Sequence, residues 1–489
     1  MNTLQRVGYR FWNGIKSIPR VGVNLFVQMG KGFAGFFMRI WHTLCEMGDA
    51  LKNGDWRTRL SFLFMGFGCI FRGQIIKGLL YLLAEILFIV YMTSFAWQYL
   101  KDFATLGTVT VEERWNEELQ IFEYLPGDNS MYILLFSVLS LLIILAFVCL
   151  YASSVIASYR TQKVIEAGEK PLTFKQDLHA LMNEKFHITL LSLPALMVLA
   201  FILIPLIFMI LIAFTNFDKN HQPPGNLFTW VGFRNFRDIF WQDPLKSFTF
   251  GKLLGWTLVW ALFATFTNYI FGMILALMIN KKGIRAKKMW RTIFITTIAV
   301  PQFVSLLIMS QMLQEQGALN VLLQNLKWID SPIPFLTDPT LARVMVILVN
   351  MWVGIPYTLL ITSGILMNIP EDLYESATID GAGPARTFFS ITLPYMLFVT
   401  APYLITQFVG NINNFNIIFL LTEGGPLTLD YYQAGKTDLL VTWLYKQTVN
   451  QQDYSLAATI GIMVFVVSAI LSLFVYNSTA SAKKEEEFQ

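Results

Sequence analysis

Long apolar runs alternate with short polar connections along this chain. Eight of them reach the roughly 20 residues that a helix needs to cross a bilayer. They cover 78–99, 131–154, 189–213, 252–280, 292–313, 342–368, 395–421 and 455–477. The pattern predicts an all-α polytopic membrane protein of about eight transmembrane helices. One connection differs from the rest. Between the sixth and seventh runs lies a polar, turn-rich stretch, 369–394, in which Pro370, Glu371 and Asp372 predict a helix start. Gly381 and Gly383-Pro384 break that helix, and a second helical piece from Ala385 leads to Ile391 and Pro394. Two short helices at right angles would form a knob able to dock in a groove of another protein. Gly381 stands at the break, where a positive φ is expected.

Composition sets the class independently. Hydrophobic residues make up 55% of the chain, charged residues 14%, and the mean hydropathy is +0.52. A net charge of +4 over 489 residues gives nucleic-acid binding no support. Cys45, Cys69 and Cys149 are far apart and His42, His179, His187 and His221 are scattered, which argues against a disulfide framework or a metal site. No compact apolar run with a small-residue cleavage site follows the basic start, so a cleavable signal is not expected.

Charge gives the orientation. The segment before the first run and the connection 281–291 are rich in Lys and Arg, whereas 101–130 carries Glu112, Glu113, Glu117, Glu118, Glu123 and Asp128. The positive-inside tendency then places both termini, 155–188, 281–291 and 369–394 in the cytoplasm. In the first 55 residues apolar and basic positions interleave (Phe11, Trp12, Ile15, Phe26, Phe36, Trp41), the mark of a surface-lying amphipathic anchor. The segment 56–77 is apolar but broken by Gly66, Gly68, Arg72, Gly73 and Lys77, and reads as interfacial or re-entrant. The expected organisation is an interfacial region 1–77, two spans with a linker over 78–188, a six-span core over 189–480 and a cytoplasmic tail 481–489.

Candidate chemistry is sparse. Gly435-Lys436-Thr437 has Asp430 where a phosphate-binding loop needs its leading glycine, so nucleotide binding of that kind is not expected. No catalytic constellation is visible. The central parts of the spans between 189 and 477 hold no Asp, Glu, Lys or Arg, which argues against proton coupling and a strongly charged solute. Thr400, Tyr403, Gln407, Asn411 and Asn414 recur at helical spacing, with Gly410, Asn413 and Phe415 beside them. Asn350, Val353, Gly354 and Tyr357 do likewise in the preceding span. Amides that both donate and accept, beside aromatic faces, suit a sugar; interhelical hydrogen bonding explains the same stripe equally well. Glu85, inside the first span, reads as structural, snorkelling or paired with Lys77.

The order Glu375-x-Ala377-x-x-Asp380-Gly381-Ala382, with Ile391-x-Leu393-Pro394 beyond it, resembles the coupling signature of ABC importer permeases. Asn350-Met351-Trp352-Val353-Gly354-Ile355-Pro356-Tyr357, Asn413-Asn414-Phe415 and Thr422-Glu423-Gly424-Gly425-Pro426 extend the likeness to the larger permease subunit of maltose/maltodextrin importers. The resemblance implies the type I importer permease fold. It implies a heterodimer with a second permease and two ATP-binding subunits docking on 369–394, which carry the ATP and magnesium; this chain would bind no cofactor and be no enzyme. It also implies an extracellular, lipid-anchored sugar-binding protein and a location in the bacterial cytoplasmic membrane. Carried over residue by residue, it gives Val353, Gly354, Tyr357, Gln407, Gly410, Asn411 and Asn414 as solute contacts. Glu375, Ala377, Asp380, Gly381, Ala382, Gly383, Ile391, Leu393 and Pro394 become coupling residues. Gly410 stands where the family has an aromatic and Gln407 where it has a small hydroxyl residue, departures that bear on which sugar is carried. The external segment 214–250 is short, as in Gram-positive forms. Another neutral sugar such as a galacto-oligosaccharide, or a stand-alone carrier or membrane enzyme, are the alternative readings.

The topology is directly testable. Cysteines introduced at 220, 330 or 430 should react with an impermeant thiol reagent in intact cells, and those at 165, 285 or 378 should not. External labelling at 285 would overturn the charge-based orientation.

Overall fold

The computed structural model describes residues 18–117, 120–281 and 283–478. The amphipathic positions Phe11, Trp12 and Ile15 and the tail 481–489 lie outside them. Among the described residues seven helices are long and apolar enough to cross a membrane, and up to eight if a bent pair counts as one span. The chain divides into two compact units between Gly232 and Phe233. The third span, Phe186–Ile212, falls in the first of these units.

The N-terminal unit begins with α1 (Ile18–Asn53), followed by the short turns α2 (Trp56–Leu60) and α3 (Phe67–Ile70). Three spans follow: α4 (Ile75–Leu100), α5 (Ser130–Glu166) and, after the linker helix α6 (Phe174–Met182), α7 (Phe186–Ile212). Asn129 caps α5 by accepting from the amides of Met131 and Tyr132. One element departs from an all-α fold. In the acidic connection, β1 (Glu112–Asn116) pairs antiparallel with β2 (Ile121–Leu125), with Arg114 opposite Glu123 and Trp115 opposite Phe122.

The broken segment 56–77 survives because polar side chains satisfy its backbone. The Met65 amide donates to Glu85 at 2.7 Å and the Gly66 amide to Ser154 at 2.9 Å. Glu85 is thus structural, as expected, but it does not pair with Lys77, which bonds Asp177 at 3.0 Å. Arg72 is buried and clamps the turn: its guanidinium reaches Asp55 at 2.5 Å, Thr58 at 2.7 Å and the Ser158 carbonyl at 2.9 Å. Burial alone would raise the Asp55 carboxyl, but the Thr58 amide and the Arg72 charge outweigh it and hold it below its ordinary value.

The C-terminal unit holds α8 (Pro244–Asn280), α9 (Lys287–Ala299), α10 (Gln302–Met312) and α11 (Pro339–Leu366). After these come α12 (Glu371–Ile379), α13 (Pro384–Ile412), α14 (Phe415–Thr422), α15 (Leu440–Val449) and α16 (Tyr454–Ser478). Both α8 and α11 start on an Asp-Pro pair. Asp243 and Asp338 accept two amides each, and Pro244 and Pro339 supply the first helical residue. Two expected spans change shape. The run 292–313 is bent by 85° between α9 and α10. There Pro301 forces Val300 into an extended conformation. The run 395–421 ends at Ile412 and restarts as α14.

Replacing Arg72 with Met should destabilise the N-terminal unit by about 2–3 kcal/mol, since it strips Asp55 and Thr58 of a charged partner. Asp55→Asn should cost less and remove part of the acid sensitivity. A depressed carboxyl stabilises above its ordinary pKa of 3.8 and loses that contribution as pH falls through the lower folded value. Thermal unfolding of the detergent-solubilised protein between pH 3 and 7 reads both.

Candidate functional site: a transport cleft and a coupling helix

The C-terminal unit is organised around the contact of α8 with α11, where small residues let the backbones approach. A side chain at Gly354 would overlap the carboxamide of Asn268, and one at Gly272 would overlap Thr358. Asn350 donates to the Ala264 carbonyl at 3.4 Å and Thr362 to the Gly272 carbonyl at 3.4 Å. Gly354 and Asn350 therefore face α8. Val353 and Tyr357, from the same sequence stripe, turn instead into a cleft of about 140 Å3 at the α9–α10 bend. Trp352, Thr297, Gln302 and Ser305 line it with them. Tyr357 and Trp352 are about half exposed there.

The second stripe also divides. Thr400 and Asn411 are buried against α8: the Tyr269 hydroxyl meets Thr400 at 2.8 Å, and the Asn411 amide donates to Thr265 at 3.0 Å. Trp260 is fully buried and donates its indole N–H to the Asn411 carbonyl at 3.0 Å. Asn414 does not continue the helix face of Asn411, because the helix ends at Ile412. Asn414 instead caps α14, accepting from the Ile417 amide, while its own amide reaches the Asn411 side chain at 3.4 Å. Gln407 and Gly410 stay exposed on α13, and nothing lies within 4 Å of a side chain built at Gly410.

The connection 369–394 is a helix closed by a glycine turn. The Ala382 amide bonds the Ala377 carbonyl at 2.9 Å and the Gly381 amide bonds the Thr378 carbonyl at 3.0 Å. With Gly381 at φ +72°, this is a Schellman termination. It explains the spacing physically. Ala377 is buried as the small inward residue, Asp380 ends the helix, Gly381 takes the left-handed position, and half-buried Ala382 folds back. Gly383 then opens α13, which runs without interruption from Pro384 through a π-helical turn at Phe388–Thr392. The second piece is thus the end of a span and not a separate short helix. Ile369, Tyr374, Phe388 and Leu393 pack on Tyr269 and Met273, and the Tyr374 hydroxyl meets Thr392 at 3.0 Å. Ile391 is half-buried in the same turn, whereas Glu375, Asp380, Gly381, Gly383 and Pro394 are exposed. Ile379, at 85% exposure, is an apolar tip with no cover among the described residues.

Reading the sequence missed the fold of the loop after α14. Asp438 is fully buried, with Lys446 at 2.6 Å and the Gly435 amide at 2.7 Å. Gly424 must be glycine because any side chain would strike that carboxylate. The Thr437 hydroxyl donates to the Gly425 carbonyl at 2.6 Å, so Gly435-Lys436-Thr437 builds a turn rather than a phosphate cradle. An Asp set directly before the apolar Leu439-Leu440-Val441 was the available signal.

Residues 268–483 match the model of the binding-protein-dependent transport system inner membrane component. The chain is 35% identical over 428 residues to the galactooligosaccharides transport system permease protein GanP of Bacillus subtilis, covering 87% of this chain and 98% of that one. The chain belongs to this permease family. It is also 34% identical over 436 residues to the maltodextrin transport system permease protein MdxF of B. subtilis, covering 87% of this chain and 96% of that relative. To the maltose/maltodextrin permease MalF of Escherichia coli it is 36% identical over 269 residues, 54% of this chain and 52% of that protein. This is a multi-pass inner-membrane transport subunit and not an enzyme.

The tight seam makes a sharp prediction. Gly354→Ala should cost about 1–3 kcal/mol through overpacking, and Asn268→Ala should recover much of that loss. A double-mutant cycle read by thermal unfolding checks it, and strictly additive effects would sink the packing role of Gly354. Gly381→Trp should leave the protein inserted, because open space surrounds the position. It should still abolish uptake, since the left-handed turn and the exposed tip are lost together.

Proposed function

We propose that this chain is one permease of a heterodimeric, ATP-driven importer that carries an uncharged oligosaccharide of the maltodextrin or galacto-oligosaccharide class into the cytoplasm. The observation that carries this reading is the exposed, glycine-closed helix α12, seated on α8 and α13 beneath a cleft built from Val353 and Tyr357. Full-length similarity to permeases named for these two sugar classes supports it.

In this reading two ATP-binding subunits dock on 369–394, with Ile379, Asp380 and Gly381 entering their grooves and Glu375 on the outer face. ATP and magnesium are held on those partners. The packing of Tyr374 and Leu393 on Tyr269 makes α12 and the start of α13 a single lever. Closing of the ATPase pair then moves α13 against α8 and switches access to the cleft. A lipid-anchored binding protein delivers sugar from outside, and both termini of this chain lie in the cytoplasm. Val353, Tyr357, Gln407 and Gly410 face the solute, with the Tyr357 ring against its C–H face and Gln407 on its hydroxyls. Gly354 sets the height of the Tyr357 wall. Asn411 and Asn414, bonded to each other, offer the sugar only what the Thr265 and Ile417 contacts leave free.

Uptake of labelled maltodextrins and galacto-oligosaccharides separates the two sugar classes. Tyr357→Ala should weaken transport-competent binding by about 1–2 kcal/mol, roughly five- to thirtyfold in the half-saturating sugar concentration. Expression, and sugar binding to the external protein, should be unchanged. An unaltered uptake curve in a well-inserted Tyr357→Ala variant would remove the cleft from the sugar path.

A further inference from the structure

One large cavity of the N-terminal unit contains none of the residues placed above in the cleft or in α12. It measures about 1510 Å3 and runs along one face of α5, with α1, the start of α4 and the linker 169–185 as its other walls. Leu145, Val148, Ala152 and Ile156 line it at helical spacing, and Arg160 and Val164 continue the same face. Leu145, Val148 and Leu44 are more than half exposed within it. Basic residues line it as well. Arg39, Lys170 and Lys185 line it with no carboxylate within ion-pair distance among the described residues, beside the acidic Glu169, while Lys77 is neutralised by Asp177 and Arg160 by Glu46, which leaves the lining with an excess of positive charge. The cavity therefore joins an apolar wall on α5 to an excess of cationic side chains.

We propose that this cavity holds one anionic glycerophospholipid, its phosphate between Arg39, Lys170 and Lys185 and its acyl chains along Leu145, Val148 and Ile156. Charge complementarity selects the headgroup: an excess of cationic side chains attracts an anionic headgroup. The apolar wall selects the rest of the molecule. A peptide entering at the depth of Leu145 would bring backbone amides that nothing there can satisfy, whereas acyl chains bring none. Ala152, small and half-buried, leaves room for chains between its neighbours.

Native mass spectrometry of the full-length chain, purified in detergent with the subunits that accompany it, tests this. After delipidation and titration with phosphatidylglycerol, one lipid per chain should be retained, with phosphatidylcholine retained at least tenfold less. The triple variant Arg39→Ala, Lys170→Ala, Lys185→Ala should lose the retained lipid at least tenfold. Ala152→Trp keeps every charge and fills the space at the apolar wall; it should lose the lipid equally, so a triple variant that fails to assemble leaves the test intact. Equal retention of the two lipids, retention unchanged in Ala152→Trp, or displacement by soluble glycerol 1-phosphate alone would overturn the proposal. The last result would assign the basic side chains to free phosphate compounds.

Discussion

The close approach of α8 and α11 is the constraint on which the C-terminal unit depends. In lipid, apolar side chains gain little from leaving their surroundings, so helices associate through packing and shared hydrogen bonds. Gly354 against Asn268 and Gly272 against Thr358 supply the first, and Asn350 and Thr362 the second. The candidate cleft and α12 are both placed from this seam. One face of α11 is used up on α8, which turns Val353 and Tyr357 toward the bend at Pro301. Thr265 and Tyr269, close around α8 to the seam residues Asn268 and Gly272, meet α13, and the lower end of that contact carries α12. A change in how α13 rides on α8 would thus reach the cleft and α12 together.

Much of this was legible in the sequence, and the legible parts share a cause. The Schellman turn at Gly381 is a local device: a small buried residue, a helix end and a left-handed glycine at fixed spacing, all within six residues. The same holds for the Asp-Pro starts of α8 and α11. Long apolar runs likewise declare themselves without knowledge of their neighbours. The glycine stripe was less readable, because Gly354 looked the same whether it faced a sugar or another helix. Only the position of Asn268, 86 residues earlier, decides that it faces a helix.

The illegible parts are those where one residue interrupts a periodic run. Hydropathy carries 292–313 and 395–421 straight through, yet Pro301 bends the first by 85° and the second stops at Ile412. The consequence for the candidate site is specific. Asn411 and Asn414 sit three residues apart, which on a continuous helix would put them on one face; the break makes one an interhelical donor and the other a helix cap. Gln407 and Gly410, which carry the departures from the family pattern, are the members of that stripe that stay exposed.

Polar residues inside an apolar chain therefore answer two different demands, and burial separates them. Glu85, Ser154, Arg72 and Thr58 in the N-terminal unit spend their hydrogen bonds on backbone groups or buried partners of an interrupted segment. Asp438 does the same for the loop after α14. Each would have been counted as candidate chemistry by residue type alone. Each is instead the local condition for irregular backbone within a largely apolar fold, where an unmet amide costs more than a buried carboxylate with three donors. Tyr357 and Gln407, by contrast, stay exposed and spend no side-chain hydrogen bond on the fold among the described residues.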